Sequence, residues 1–203
     1  MRTLVIDSAT EACSAALFED GALIAGACET IGRGHAERLV PMIAELPEKG
    51  RAGRIVVSLG PGSFTGVRIG LSAARALGLA WKAEVLGYPT LALVAAMARH
   101  ENPGPVSVCM TGGHGEWFVQ NFGADGWPED EVQSLPPQAA ASVCRHSVIA
   151  GSKASDLATL AGNGRLAIEV LPDARRFRQL SESMLTPDLA PLYGRPPDAR
   201  LPA

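Results

Sequence analysis

Lysine is nearly missing from this chain: Lys49, Lys82 and Lys153 are the only three among 18 Lys and Arg residues. Aromatic side chains are sparse too, at 5% of 203 residues, so the core has to be aliphatic. Neither sign of charge dominates, since 18 basic against 21 acidic residues leave a net charge of −3. That balance offers no broad electrostatic footprint for nucleic acid or an anionic membrane surface. The sequence holds no run of 18 uncharged apolar residues, which excludes an ordinary membrane-spanning helix. Met1-Arg2-Thr3-Leu4-Val5-Ile6-Asp7 meets an aspartate too early for the apolar stretch of a secretion signal, so the cytoplasm is the expected compartment. Cys13, Cys28, Cys109 and Cys144 form no C-x-x-C pair. In that compartment they read as buried thiols, not as a disulfide or metal framework.

What is present is a globular mix, with 47% hydrophobic and 19% charged residues. A chain of this length makes one large domain or two small ones and buries about 70% of its unfolded surface. The first half alternates short apolar runs with helical periodicity. Thr3 to Ile6 reads as a strand. Ser14 to Phe18 and Ala22 to Ala27 flank Glu19-Asp20-Gly21, a hairpin turn signal. Leu39, Met42, Ile43 and Leu46 share one face of a helix from His35 to Leu46, and Pro41 predicts a kink or a helix in two pieces. Ile55 to Val57 is a buried-strand candidate, followed by a helix from about Thr65 to Trp81, a strand at Val85 to Tyr88 and a helix from Pro89 to about Arg99. This alternation predicts an α/β sheet. Glu101-Asn102-Pro103-Gly104-Pro105 reads as a boundary, which places residues 1–103 in one unit and residues 104–203 in another. Beyond it, Val106 to Met110 and Glu116 to Phe122 read as paired strands. Helices are expected near Pro137 to Cys144 and Ala154 to Ala161, and an irregular tail from Pro187.

The sharpest local motif is Gly60-Pro61-Gly62-Ser63-Phe64-Thr65-Gly66-Val67-Arg68, between a strand and a helix. Such a loop can aim backbone N–H groups at an anion. It lacks the Lys-Ser/Thr ending of a Walker loop and the glycine spacing of a dinucleotide fingerprint or nucleophile elbow. A tight turn with Ser63 or Thr65 capping the helix explains it equally well. In the helix that follows, Arg68, Ser72 and Arg75 make one narrow polar stripe, and the remaining circumference is apolar or glycine. More apolar surface than one sheet covers implies a fully buried helix or a second packing surface.

Catalytic groups are scarce. Four positions after His35 stands Leu39, so a helical two-histidine metal site is half missing. His114 and Glu116 could be presented together by the glycine-flanked turn Thr111 to Glu116, and a plain surface turn fits as well. Asp7-Ser8-Ala9-Thr10 after the first strand resembles a phosphate-binding hairpin loop, which a hydroxyl-rich hairpin end also explains. No metal cluster, triad or carboxylate pair emerges, so no catalytic residue and no metal are assigned.

Several of these segments together resemble the TsaB (YeaZ) family. They are Ile6 to Ser14, His35 to Met42, the Gly60 to Arg68 motif, Gly87-Tyr88-Pro89-Thr90-Leu91 and Pro191-Leu192-Tyr193-Gly194-Arg195. The resemblance implies the actin-like, sugar-kinase and heat-shock-ATPase (ribonuclease H-like) fold, an N-terminal subdomain followed by a reduced second one. It implies a non-catalytic scaffold that pairs with and activates a TsaD-like catalytic paralogue. With a TsaE-like ATPase, that pair adds threonylcarbamoyl to adenosine 37 of ANN-decoding tRNAs. It makes Asp7, Ser8 and Thr10 a vestigial phosphate loop. No cofactor is expected in the isolated chain, with ATP or ADP possible at an interface of the complex, and tRNA is met only through that complex.

The helix pattern and the resemblance both predict dimerisation through the two N-terminal helices, with a second copy when alone. His35, Arg38, Leu39, Met42, Ile43, Leu71 and Ala74 are the expected interface positions. Two alternatives stay open: a glycoprotease-like metallopeptidase, and a small-molecule kinase of the same fold. The kinase needs a second phosphate loop, for which Thr111 to Gly115 and Ala161-Gly162-Asn163-Gly164 are the glycine-rich candidates.

Overall fold

The strands nearest the N-terminus set the frame, because their apolar runs are buried on both faces. In the computed structural model, which describes residues 1–162 and 164–194, five strands form a first sheet. They are β1 (Arg2–Asp7), β2 (Ala12–Glu19), β3 (Ala22–Thr30), β4 (Arg54–Ser58) and β5 (Glu84–Tyr88), in the order β3-β2-β1-β4-β5. The β2–β3 hairpin turns at Asp20 and Gly21, both left-handed at φ 47° and 84°, as a tight two-residue turn requires. β1 runs antiparallel to β2 and parallel to β4, with Leu4 opposite Ile55 and Val5 opposite Val56. Side chains alternate across the sheet. Leu4, Ile6, Ile55 and Val57 therefore meet α1 (His35–Ala44) and α2 (Phe64–Trp81), while Val5 and Val56 meet α3 (Thr90–Glu101) on the opposite face.

Pro41 lies inside one uninterrupted α1, not between two pieces. Proline removes one N–H from the helical ladder, and the burial of Leu39, Met42 and Ile43 on the sheet keeps the helix together. Ser63 caps α2 by accepting a hydrogen bond from the Gly66 N–H at 3.3 Å. At Gly66 an added Cβ would run into the Ser8 carbonyl, and at Gly62 into the Ala9 carbonyl. The glycines of the motif are therefore close-approach positions between α2 and the β1–β2 loop.

The second sheet repeats the plan of the first. Its strands are β6 (Val106–Thr111), β7 (Trp117–Phe122), β8 (Gln133–Leu135), β9 (Val148–Ala150) and β10 (Leu166–Ile168), in the order β10-β9-β6-β7-β8. β6 is antiparallel to β7 and parallel to β9, as β1 is to β2 and β4. α4 (Pro137–Val143) and α5 (Ala154–Ala161) hold the places of α1 and α2. This is a duplicated actin-like, ribonuclease H-like fold with a reduced second copy. The three-residue strands β8, β9 and β10 carry too little periodicity to be predicted from sequence. Between the sheets lies α3, whose Leu91, Leu93 and Val94 are 0% exposed. That burial on all sides explains its lack of a polar stripe.

The segment from Asp173 to Gly194 returns to the first sheet. Ala174 N–H donates to Ser14 Oγ at 3.0 Å, and Phe177 packs with ring centroids 6.0 Å from Phe18 and 6.3 Å from Tyr88. Gly87 and Thr186 exchange backbone hydrogen bonds of 2.8 and 3.0 Å, and Leu192 N–H donates to Leu59 O at 2.8 Å. The irregular tail is thus strapped along the first sheet as far as the structure describes it. Asn163 and Arg195, named in the motifs above, lie outside the described residues, as does the chain beyond Arg195. Cys13, Cys109 and Cys144 are buried and Cys28 is half-buried, all four as free thiols. Among the described residues no helix is long and apolar enough to cross a membrane.

Candidate functional site

The duplicated fold brings two equivalent loops face to face: residues 8–11 after β1 and residues 112–116 after β6. Between them lies a cleft of about 660 Å³. Thr10 and Glu11 line it from the first loop, Ser63, Phe64, Val67 and Arg68 from the start of α2. The second sheet contributes Thr111, Gly112, Gly113, His114 and Phe118, and the strap contributes Leu192, Tyr193 and Gly194. At the mouth three side chains interlock. The Arg68 guanidinium lies 3.5 Å from the Phe64 ring centroid and donates to the Tyr193 hydroxyl at 3.2 Å, and the Phe64 and Tyr193 rings are 5.5 Å apart.

The Asp7 loop turns away from this cleft. Asp7 is 1% exposed, accepting from the Ala9 N–H at 3.0 Å and from the Tyr88 hydroxyl at 2.7 Å. Burial pushes its carboxyl up to about 6, and burial together with the neighbouring Asp7 carboxylate raises the Tyr88 hydroxyl well above its ordinary value. Ser8 Oγ donates to Gly66 O at 2.9 Å, and Ser63 N–H donates to Ala9 O at 2.6 Å. Of Asp7, Ser8 and Thr10, only Thr10 lines the cleft, and its Oγ1 accepts from the Ala12 N–H at 3.2 Å. The Gly60 to Gly66 motif fills the space in front of the loop, so Asp7 and Ser8 act as internal struts, not as ligands for a phosphate or its metal.

The expected partner surface needs correction. Leu39 and Met42 are fully buried, Ile43, Leu71 and Ala74 nearly so, and all five face the first sheet or each other in one core cluster. An apolar residue at helical spacing marks an inward face before it marks an interface. His35 is buried too, with Nε2 3.3 Å from Ala12 O. Arg38 is partly exposed and clamps two carboxylates, Glu29 at 2.6 Å and Glu45 at 2.8 Å. The faces that α1 and α2 leave open instead carry Val40, Phe64, Ile69, Ala73, Ala76, Leu79 and Ala80. His114 reaches the cleft, whereas the Glu116 carboxylate is turned aside and accepts from Ser134 Oγ at 2.6 Å. Among the described residues no group of three or more His, Cys, Asp or Glu is placed to hold a metal ion.

Two comparisons bear on this arrangement. A family model described as TsaD, tRNA N6-adenosine threonylcarbamoyltransferase, matches residues 28–173. The TsaB protein of Escherichia coli K12, a tRNA threonylcarbamoyladenosine biosynthesis protein, is 41% identical over 107 residues. The chain belongs to this family, on its TsaB (YeaZ) branch. The TsaB of Bacillus subtilis is 31% identical over 107 residues. The chain spans about half the length of these curated TsaB relatives, 46% of each, in alignments over 50% and 49% of itself. The solved YeaZ of Pseudomonas aeruginosa matches across 88% of this chain and 89% of its own, at 27% identity and a TM-score of 0.73. A second Pseudomonas aeruginosa structure, described as an uncharacterized protein with similarity to peptidase YeaZ, reaches 29% identity and a TM-score of 0.76 over the same shares.

Glu11, Phe118 and Leu192 are cleft residues that sequence reasoning passed over. The signal that could have found them is the duplication itself: once β6 is paired with β1, the loops after both strands must meet.

Proposed function

We propose that this TsaB-branch chain serves tRNA threonylcarbamoyladenosine formation as a non-catalytic subunit, pairing with and activating a TsaD-like catalytic partner. One observation carries the reading: α1 and α2 expose apolar side chains that the described residues leave largely uncovered. Val40 is 60% exposed, Phe64 55% and Leu79 84%. Phe64 and Leu79 are 15 residues apart on one helix, a span of about 22 Å. Between α1 and α2 runs a shallow groove lined by Ala36, Val40, Thr65, Ile69, Ser72 and Ala73. Small residues there let a second helix pair approach closely, and exposed apolar side chains beside such a groove, rimmed by Arg68, Ser72 and Arg75, mark an interaction surface. The related names support the pathway, and a shared fold supports pairing between paralogues. The same face serves a second copy when the chain is alone, while the TsaE-like ATPase, and ATP or ADP at an interface, belong to the assembled complex. The internal bonding of Asp7 and Ser8 favours this reading over a kinase, and Leu39 in place of a second histidine favours it over a metallopeptidase.

The test is co-purification with a TsaD-like protein, followed by tRNA modification with and without this chain. Ile69→Glu and Ala73→Glu are expected to leave the monomer folded and to abolish both pairing and modification. Wild-type pairing by both folded variants would refute the reading, as would ATP turnover by the isolated chain that disappears in Asp7→Ala.

A further inference from the structure

The cleft between the sheets is a second cavity, which meets the α1–α2 groove only at Phe64 and Arg68. The cleft's volume, about 660 Å³, lies in the range of small-molecule sites, roughly 300–1,000 Å³. Its walls are the rings of Phe64, Phe118 and Tyr193 with Val67 and Leu192, and Gly62, Gly112 and Gly113 add backbone without side chains. Such walls suit a flat ring better than a branched or strongly hydrated body. The lining holds one guanidinium, Arg68, and one carboxylate, Glu11, and neither belongs to an ion pair among the described residues. Arg68 is held over Phe64 with its charge open to solvent. A guanidinium so oriented is a ready partner for a carboxylate, sulfonate or phosphate monoester. Beside Glu11, Arg68 and Tyr193, the one other titratable side chain among the described lining residues is His114. Arg68 is the one guanidinium there, and Glu11 repels a second anionic group, so a single acid suits the cleft better than several.

From this geometry we propose that the cleft is a binding site for a small, flat aromatic molecule bearing a single acidic group, with the ring among Phe64, Phe118 and Tyr193 and the acid on Arg68. The proposal does not require a TsaD-like protein on α1 and α2, although Phe64 and Arg68 border both surfaces.

The experiment uses the full chain and two fluorescent probes of one shape: 8-anilinonaphthalene-1-sulfonate, which carries one acid, and N-phenyl-1-naphthylamine, which carries none. The sulfonate is expected to bind saturably with one site per chain and more tightly than the neutral amine. Arg68→Gln weakens sulfonate binding about tenfold, the size of a lost charge-assisted hydrogen bond, and leaves the amine within about twofold. Because Arg68 also borders the α1–α2 groove, two further variants locate the probe. Glu11→Gln, which touches the cleft alone, tightens the sulfonate and not the amine, while Ala73→Phe, which fills the groove alone, changes neither. Equal affinity for both probes, binding without fixed stoichiometry, or loss of binding in Ala73→Phe with no response to Glu11→Gln would each overturn the proposal. Thermal unfolding of every variant, matched to wild type, shows that the fold is intact.

Discussion

Replacing Asp7 by asparagine should stabilise this protein at neutral pH, an unusual expectation for a buried hydrogen-bonded carboxylate. Asp7 has two donors, the Ala9 N–H and the Tyr88 hydroxyl, and no Lys or Arg pairs with it among the described residues. Desolvation outweighs the two bonds and lifts the carboxyl from 3.8 to about 6. A displacement of about two units, at 1.36 kcal/mol each, makes the ionised form about 3 kcal/mol worse in the folded chain than in the unfolded one. Since the folded value is the higher of the two, the contribution of Asp7 is greatest below pH 3.8 and is lost as pH rises through about 6. Linkage over the interval from pH 5 to 7.5 gives a loss of about 1 kcal/mol. Asparagine keeps the acceptor for Ala9 and removes the charge, but brings an N–H where Tyr88 now donates, a loss of about 1 kcal/mol. The net gain at pH 7.5 is therefore about 2 kcal/mol. Urea unfolding of both proteins at pH 5 and 7.5 reads it, because every other titrating group is common to the two. Asp7→Asn should lead by about 2 kcal/mol at pH 7.5, and the lead should shrink by about 1 kcal/mol at pH 5. A lead that is absent, or that grows as pH falls, would refute the argument that desolvation governs this carboxylate.

Three further outcomes follow from packing and charge. Gly66→Ala drives a Cβ into the Ser8 carbonyl; the obstructing atoms are backbone and cannot swing aside, so a loss of about 3 kcal/mol is expected, read as a lower melting temperature. Leu71→Glu and Ala74→Glu place a carboxylate in the core and should unfold the chain by circular dichroism, in contrast to Ala73→Glu on the open face. Alone, the chain should bind tRNA only weakly at physiological salt, because its net charge is −3 and Arg175, Arg176 and Arg178 are paired with Asp173, Glu101 and Glu182. Submicromolar binding in a filter or anisotropy assay would contradict this.

The first sheet and its helices were legible because their signals are long and physically redundant. The run Leu4-Val5-Ile6 and the stripe Leu39, Met42, Ile43 each satisfy one period over several residues. Arg68, Ser72 and Arg75 were read as a polar stripe, and all three are exposed. What sequence could not assign was the direction of the remaining α2 positions. Ala73 and Ala74 are chemically identical, yet Ala74 is sealed in the core while Ala73 borders the open groove. Their Cβ atoms point about 100° apart around the helix, and which of the two directions meets the sheet is set by tertiary packing that no side-chain preference reports. Choosing Leu71 and Ala74 as partner positions failed for this reason. The cleft was hidden for another, because its lining comes from five segments that only the tertiary fold unites. Phe118 and Tyr193 look like ordinary core and tail residues until the sheets are placed side by side.

The strap has a consequence for how the protein is made. Synthesis is vectorial, at about 5–20 residues per second, so most of the first sheet leaves the ribosome early. Its outer layer does not. Ser14 waits for Ala174, 160 positions later, and Tyr88 stays uncovered until Phe177 arrives. The half of the molecule that is translated first is thus completed last, and it holds an apolar surface open during most of its own elongation. A nascent chain stalled between α3 and the strap would present that surface to chaperones and proteases, which makes the segment from Asp173 to Gly194 a checkpoint on translation this far as much as a part of the fold.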